Sequence, residues 1–142
     1  MALLKASRTA HTVLEAEFSW AIGDTMVNTA GASDAFASAA AHAFDIINLP
    51  PGAVVLAGEL SVTTAFDGTT YALIVGDSAS TNRYLSTADR KAAGRTALVP
   101  TGYVSLGEPI RLTVTPTGTT TAGAGTIRIQ YIVTGRANEV QP

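Results

Sequence analysis

The sequence predicts an all-β fold, an antiparallel sandwich or barrel with room for no more than a turn or two of helix. Three observations predict it. Regular segments alternate apolar and polar residues with a period of two. They recur roughly every 10–15 residues, separated by Gly-, Pro- and Asp-containing joints. Thr is abundant, and Thr has strand propensity without needing burial. The 142-residue length suits one domain, and 46% hydrophobic residues exclude disorder.

Taken in order, Leu14, Ala16, Phe18 and Trp20 alternate with Val13, Glu15, Glu17 and Ser19, a half-buried strand that Gly23-Asp24 ends. The Ala-rich stretch 30–43 is ambiguous, because Phe36, Ala40 and Phe44 also fit helical spacing. A strand is expected from about Ala41 to Leu49, stopped by Pro50-Pro51-Gly52. The run from Val54 to Phe66 is a long strand with a bulge or bend at Gly58. Asp67-Gly68 is read as a hairpin turn pairing that strand with residues 70–75. Gly76 to Asn82 is a polar loop, followed by a short extended piece at 83–85. Ser86-Thr87-Ala88-Asp89 resembles a capping box, with Gly94 placed to end a short helical turn over 87–93. Alternation returns at 109–115 and at Thr126–Val133, where Ile127, Ile129, Tyr131 and Val133 share a face. Between these, 116–125 is a Thr/Gly/Ala loop. The expected organisation is a flexible N-terminal arm (1–12), a sandwich domain (13–135) and a C-terminal tail (136–142).

A net charge of −2 and a pI near 5.5 argue against nucleic acid or an anionic membrane as partner. The absence of Cys excludes disulfides, Cys–zinc sites and thiol catalysis. No apolar run reaches signal-peptide or membrane-span length, so a soluble protein made in the cytoplasm is expected. Charged residues are only 14%, against about 25% in average domains. A Thr-rich, weakly charged surface suits a subunit packed against copies of itself or a larger assembly.

The order of motifs from Leu49 onward carries a resemblance. Leu49-Pro50-Pro51-Gly52-Ala53-Val54-Val55 is followed by Val62-Thr63-Thr64-Ala65-Phe66 and Val75-Gly76-Asp77-Ser78. Arg83-Tyr84, Lys91-Ala92-Ala93-Gly94-Arg95-Thr96-Ala97-Leu98 and Thr101-Gly102-Tyr103 come next. Ala122-Gly123-Ala124-Gly125-Thr126 and the stretch Tyr131 to Glu139 close the series. In this order and spacing the chain resembles the capsid decoration, or cement, proteins of tailed bacteriophages. The resemblance implies a single jelly-roll-like β-sandwich on the outside of the virion, clamping neighbouring capsomers of the major capsid protein. Such a structural protein is synthesised in the host cytoplasm, and symmetric sites favour self-association as a dimer or trimer.

No constellation for chemistry stands beside that reading. His11 and His42 have no second ligand at metal spacing. Asp77, Ser78 and Ser80 are turn formers rather than a nucleophile elbow, and Asp77, Ser80 and Asn82 fall short of a calcium ligand set. Gly118, Gly123 and Gly125 form no phosphate-binding loop. Glu15 and Glu17 lie about 6–7 Å apart by strand rise, but on a face that alternation assigns to solvent. No catalytic residue, metal or cofactor is therefore expected. The interface candidates are the basic concentration Arg83, Arg90, Lys91 and Arg95, together with Leu3 and Leu4 of the first segment and Arg136 of the last. The Arg side chains would dock an acidic capsid patch. The competing function is a fibre module that binds a host surface glycan; the aromatic content of 6% and a Trp on an apolar strand face weigh against it.

Overall fold

The structure, a computed structural model, describes residues 10–134 and 137–139. These form strands β1 (Ala10–His11), β2 (Leu14–Ala21), β3 (Thr25–Val27), β4 (Ser33–Ala35), β5 (His42–Ile47) and β6 (Ala53–Thr64). They continue with β7 (Thr70–Gly76), β8 (Leu85–Asp89), β9 (Gly94–Ala97), β10 (Ile110–Thr117), β11 (Ala124–Val133) and β12 (Ala137–Glu139). Two four-stranded antiparallel sheets, ordered β2-β11-β6-β9 and β5-β10-β7-β8, pack face to face. The pairs β3–β4 and β1–β12 are separate two-stranded ribbons.

The pairing is nested. β7 pairs β8, β6 pairs β9, β5 pairs β10 and β2 pairs β11, and β1–β12 adds an outermost rung. The chain is thus a long two-stranded ribbon rolled on itself and sealed by the contacts β11–β6 and β10–β7. This is the all-β antiparallel sandwich that the sequence led us to expect.

Alternation sets the two faces. In β10, Ile110, Leu112 and Val114 point inward, opposite Val75 and Leu73 of β7 and Phe44 of β5. β10 also runs on through Pro116 to Thr117, beyond the expected end of that strand. The proline is tolerated because β5 stops at His42, opposite Val114, leaving one edge of β10 unpaired there.

Two local expectations are corrected, and the ambiguity of the Ala-rich stretch is resolved. β6 and β7 are not a hairpin, because they lie in different sheets. Gly68 lacks the positive φ of a two-residue hairpin turn. Instead Asp67 accepts hydrogen bonds from the backbone N–H groups of Thr121 and Ala122 (2.7 and 3.1 Å), which tie this crossing to the β10–β11 crossing. The capping-box sequence at Ser86 starts no helix, since Leu85–Asp89 is strand β8. The Ala-rich stretch is likewise not helical. It carries β4 and a turn that drives Phe36 into the core.

The core is an aromatic column between the sheets. Phe66 lies on Tyr71 (3.7 Å between ring centroids) and Phe36 on Phe44 (4.4 Å). Trp20 sits between these pairs, 6.5 Å from Phe66 and 6.1 Å from Phe36, with Phe18 beside it. Two glycines make the room. A Cβ at Gly125 would lie 2.6 Å from the Trp20 ring, and one at Gly123 would enter the Phe66 ring. Gly123 also has φ +144, which side-chain-bearing residues avoid.

Gly123→Ala therefore combines backbone strain with overpacking, and should cost about 2–4 kcal/mol in chemical denaturation. Tyr71→Phe removes the buried hydroxyl that donates to the Phe36 carbonyl oxygen at 3.0 Å. It should cost about 1–2 kcal/mol with the fold intact.

Candidate functional site

The basic residues that the sequence groups together are distributed by the fold. Arg83 follows the end of β7, whereas Arg90 and Lys91 lie beside its start, bound to the backbone of Tyr71 and Thr69. Arg95 is on β9, in the other sheet. Leu3, Leu4 and Arg136 lie outside the described residues.

Arg83 is a structural pin. Its guanidinium binds both carboxylate oxygens of Asp77, a residue only 2% exposed, and lies 3.5 Å over the Tyr103 ring. Asp77 also accepts the backbone N–H groups of Ala79 and Ser80 at 2.9 and 2.8 Å. Its oxygens are thereby spent on the turn, as the turn-former reading of this segment expects. Tyr103 donates to Glu108 (2.8 Å), which also accepts the Leu106 N–H (2.8 Å) and the Ser105 hydroxyl (3.1 Å). One chain of contacts, Asp77–Arg83–Tyr103–Glu108, thus fixes two loops at one end of the sandwich. The Glu108 carboxyl is held down to about 2 by backbone hydrogen bonding, the Tyr103 hydroxyl and the Leu106 amide. Asp67 is held down to about 2 first by the Thr121 hydroxyl, then by the Thr121 and Ala122 amides.

His42 acquires a neighbour that sequence spacing hid. Its Nδ1 is 2.6 Å from Asp34 Oδ2, an oxygen that also accepts from Asn28 at 2.7 Å. Among the described residues, no group of three or more His, Cys, Asp or Glu side chains is placed to hold a metal ion.

The most organised surface is the outward face of the β2-β11-β6-β9 sheet. Arg128 of β11 stands in register between Glu17 of β2 and Glu59 of β6. It binds Glu17 at 2.7 Å and Glu59 at 3.2 Å. Arg95 of β9 closes on Glu59 from the far side. The result is a four-strand charge ladder, Glu17–Arg128–Glu59–Arg95. Gln130 binds Glu15 at 3.1 Å one row along, and a shallow cavity of about 340 Å³ lies over these residues. Both glutamates of β2 are therefore tied to a neighbouring strand.

Towards the other end, the same face turns apolar. Ile132 pairs Val54, and Val54 bridges to Val104. Val13, just beyond the last β2–β11 pair, and Leu56 are exposed beside them. Leu106 (80% exposed) and Val99 (65%) extend the apolar character along the β9–β10 loop. Sequence reading missed this face because each residue looks unremarkable in its own strand. Only the register lines them up.

No protein-family model matches the chain, and neither does any curated protein. Solved structures do. A chain of the structure described as the Cyanophage Pam1 capsid asymmetric unit aligns over 94% of this chain and 93% of its own, with TM-score 0.61 and 21% identity. A chain of the acidic stable capsid of Helicobacter pylori bacteriophage KHP30 aligns over 96% and 97%, with TM-score 0.61 and 19% identity. A chain of the capsid of Ralstonia phage GP4 aligns over 95% and 93%, with TM-score 0.56 and 15% identity. The neighbours are phage capsid structures, and the likeness establishes a shared fold from end to end.

Two outcomes test the loop pins. Arg83→Ala strands the Asp77 carboxylate in its buried site, and should lower stability by about 3–5 kcal/mol. Asp67 and Glu108 have folded-state values below their ordinary 3.8 and 4.5. Their contribution is therefore complete above about pH 4.5 and is lost as pH falls towards about 2. Thermal unfolding followed over that window should show a shallower acid limb for the Asp67→Asn, Glu108→Gln double variant than for the parent.

Proposed function

We propose that this chain is a structural, non-enzymatic virion protein of a tailed phage. It binds the outside of the capsid and stabilises contacts between capsomers of the major capsid protein. The observation that carries the proposal is the end-to-end fold likeness to chains in three phage capsid structures. The side-chain chemistry agrees. The carboxylates with the best-defined surroundings are committed to loop amides or to cross-strand Arg pairs. All nine aromatic residues are buried or half-buried. This leaves no exposed ring for stacking on a sugar and disfavours a glycan-binding fibre tip.

The mechanism is passive. A protein that binds the closed shell but not the opened one raises the free energy of opening by mass action. Many copies with modest contacts then resist internal pressure together. The cations suited to an acidic capsid patch are Arg90 and Lys91. Among the described residues, their side-chain partners are the backbone carbonyls of Ser86 and Thr69 rather than carboxylates.

The test uses capsids of the parent phage stripped of this protein. Purified chain should rebind and co-sediment at hundreds of copies per particle. A handful of copies per particle, no rebinding, or specific binding on a glycan array overturns the proposal. Arg90→Glu with Lys91→Glu should weaken attachment, most strongly at low salt; unchanged co-sedimentation would remove these two residues from the contact.

A further inference from the structure

The outward face of the β2-β11-β6-β9 sheet is self-complementary, and we propose that it is the contact surface of a two-fold symmetric dimer of this chain. Read across the sheet from β2 to β9, the ladder Glu17–Arg128–Glu59–Arg95 alternates negative, positive, negative, positive. Arg95 stands opposite Ser61 in register but reaches along the sheet to Glu59, so its guanidinium belongs to this row.

An alternating row with an even number of charges is its own complement when reversed. A two-fold axis running along the strands, between two facing sheets, performs that reversal. It lays β2 of one copy over β9 of the other and β11 over β6. Glu17 then faces the second copy's Arg95, and Arg128 faces its Glu59, each contact made twice, as an isologous interface requires.

The same axis keeps position along the strands unchanged. The apolar row Val13–Ile132–Val54–Val104, with Leu56 beside it, therefore meets its own counterpart rather than the charges. The perpendicular in-plane two-fold fails on both counts. It sets Glu17 over Glu17 and Arg128 over Arg128, and brings the apolar row against the polar end. Only one symmetric arrangement satisfies the ladder and the apolar row together.

Four strands and the six steps from Val13 to Ser19 give a face of roughly 20 Å by 20 Å. That is at the small end of specific interfaces, so the dimer is weak, with dissociation in about the micromolar range. The inference concerns the chain in solution and does not depend on capsid binding.

Sedimentation velocity of the full chain over a micromolar concentration series should show a shift from the 14.5 kDa monomer to a dimer. Arg95→Glu and Glu17→Arg, each alone, put two like-charge contacts into the homodimer and should weaken it at least about tenfold. Mixed together, the two variants form a heterodimer in which all four ladder positions are again opposite in charge. The mixture should recover to within about threefold of the parent. Leu56→Asp, at an exposed position, should also abolish the dimer while leaving the circular dichroism and melting temperature of the monomer unchanged. A monomer at every concentration, a trimer, a dimer indifferent to Leu56→Asp, or a mixture that fails to recover would each overturn the proposal.

Discussion

The space between Trp20, Phe66 and the β11 backbone is the constraint on which the rest of the molecule depends. All four Phe residues, the single Trp and Tyr71 stand in one column between the sheets. They come from β2, β5, β7 and the segments after β4 and β6, so the column is where separate parts of the rolled ribbon meet. It closes only because residues 123 and 125 have no side chains. With Cys absent, this packing does the work that cross-links do in other small domains. The crossing of residues 117–123 is held in place by Asp67, which lies next to Phe66 in the chain. Core and loop restraint are thus two sides of one short segment.

The low charge content takes on a different meaning once the partners are known. Asp24, Asp67, Asp77, Asp89 and Glu108 each accept backbone N–H groups in turns or crossings. They act as fasteners for loops that carry too few apolar residues to order themselves. Glu17, Glu59, Arg95 and Arg128 form the ladder, and Asp45 pairs with Arg111 across β5 and β10. Among the described residues, the side chains of Arg90 and Lys91 bind backbone carbonyls rather than carboxylates.

Strand existence was legible in the sequence wherever alternation persisted, as in Leu14–Trp20 and Thr126–Val133. Which strands pair was not legible, because register and sheet membership depend on contacts distant in the chain. Asp67-Gly68 shows why. The dipeptide favours a hairpin locally, but Asp67 bonds to residues 121 and 122, and that long-range tie sends the chain to the opposite sheet. Ser86-Thr87-Ala88-Asp89 fails for a related reason: the carboxylate of Asp89 accepts the Tyr71 amide and completes a ladder edge instead of a helix cap. The basic residues between Arg83 and Arg95 look like one site only because they are near in sequence. The charge ladder shows the opposite case. Its four members span from residue 17 to residue 128, and nothing local announces that they meet.

The nested pairing sets a timetable during synthesis. The innermost rung, β7–β8, can form as soon as it leaves the ribosome. β2, however, must wait for β11: Glu17 and Arg128 are 111 residues apart, roughly 5–20 s of translation. For that interval Leu14, Phe18 and Trp20 have no sheet to cover them, and a strand of this composition is prone to join its neighbours on a polysome. Glu15 and Glu17, alternating with those residues, repel such pairings in the nascent chain. The carboxylates later absorbed into the finished sheet face therefore guard β2 before the sheet exists.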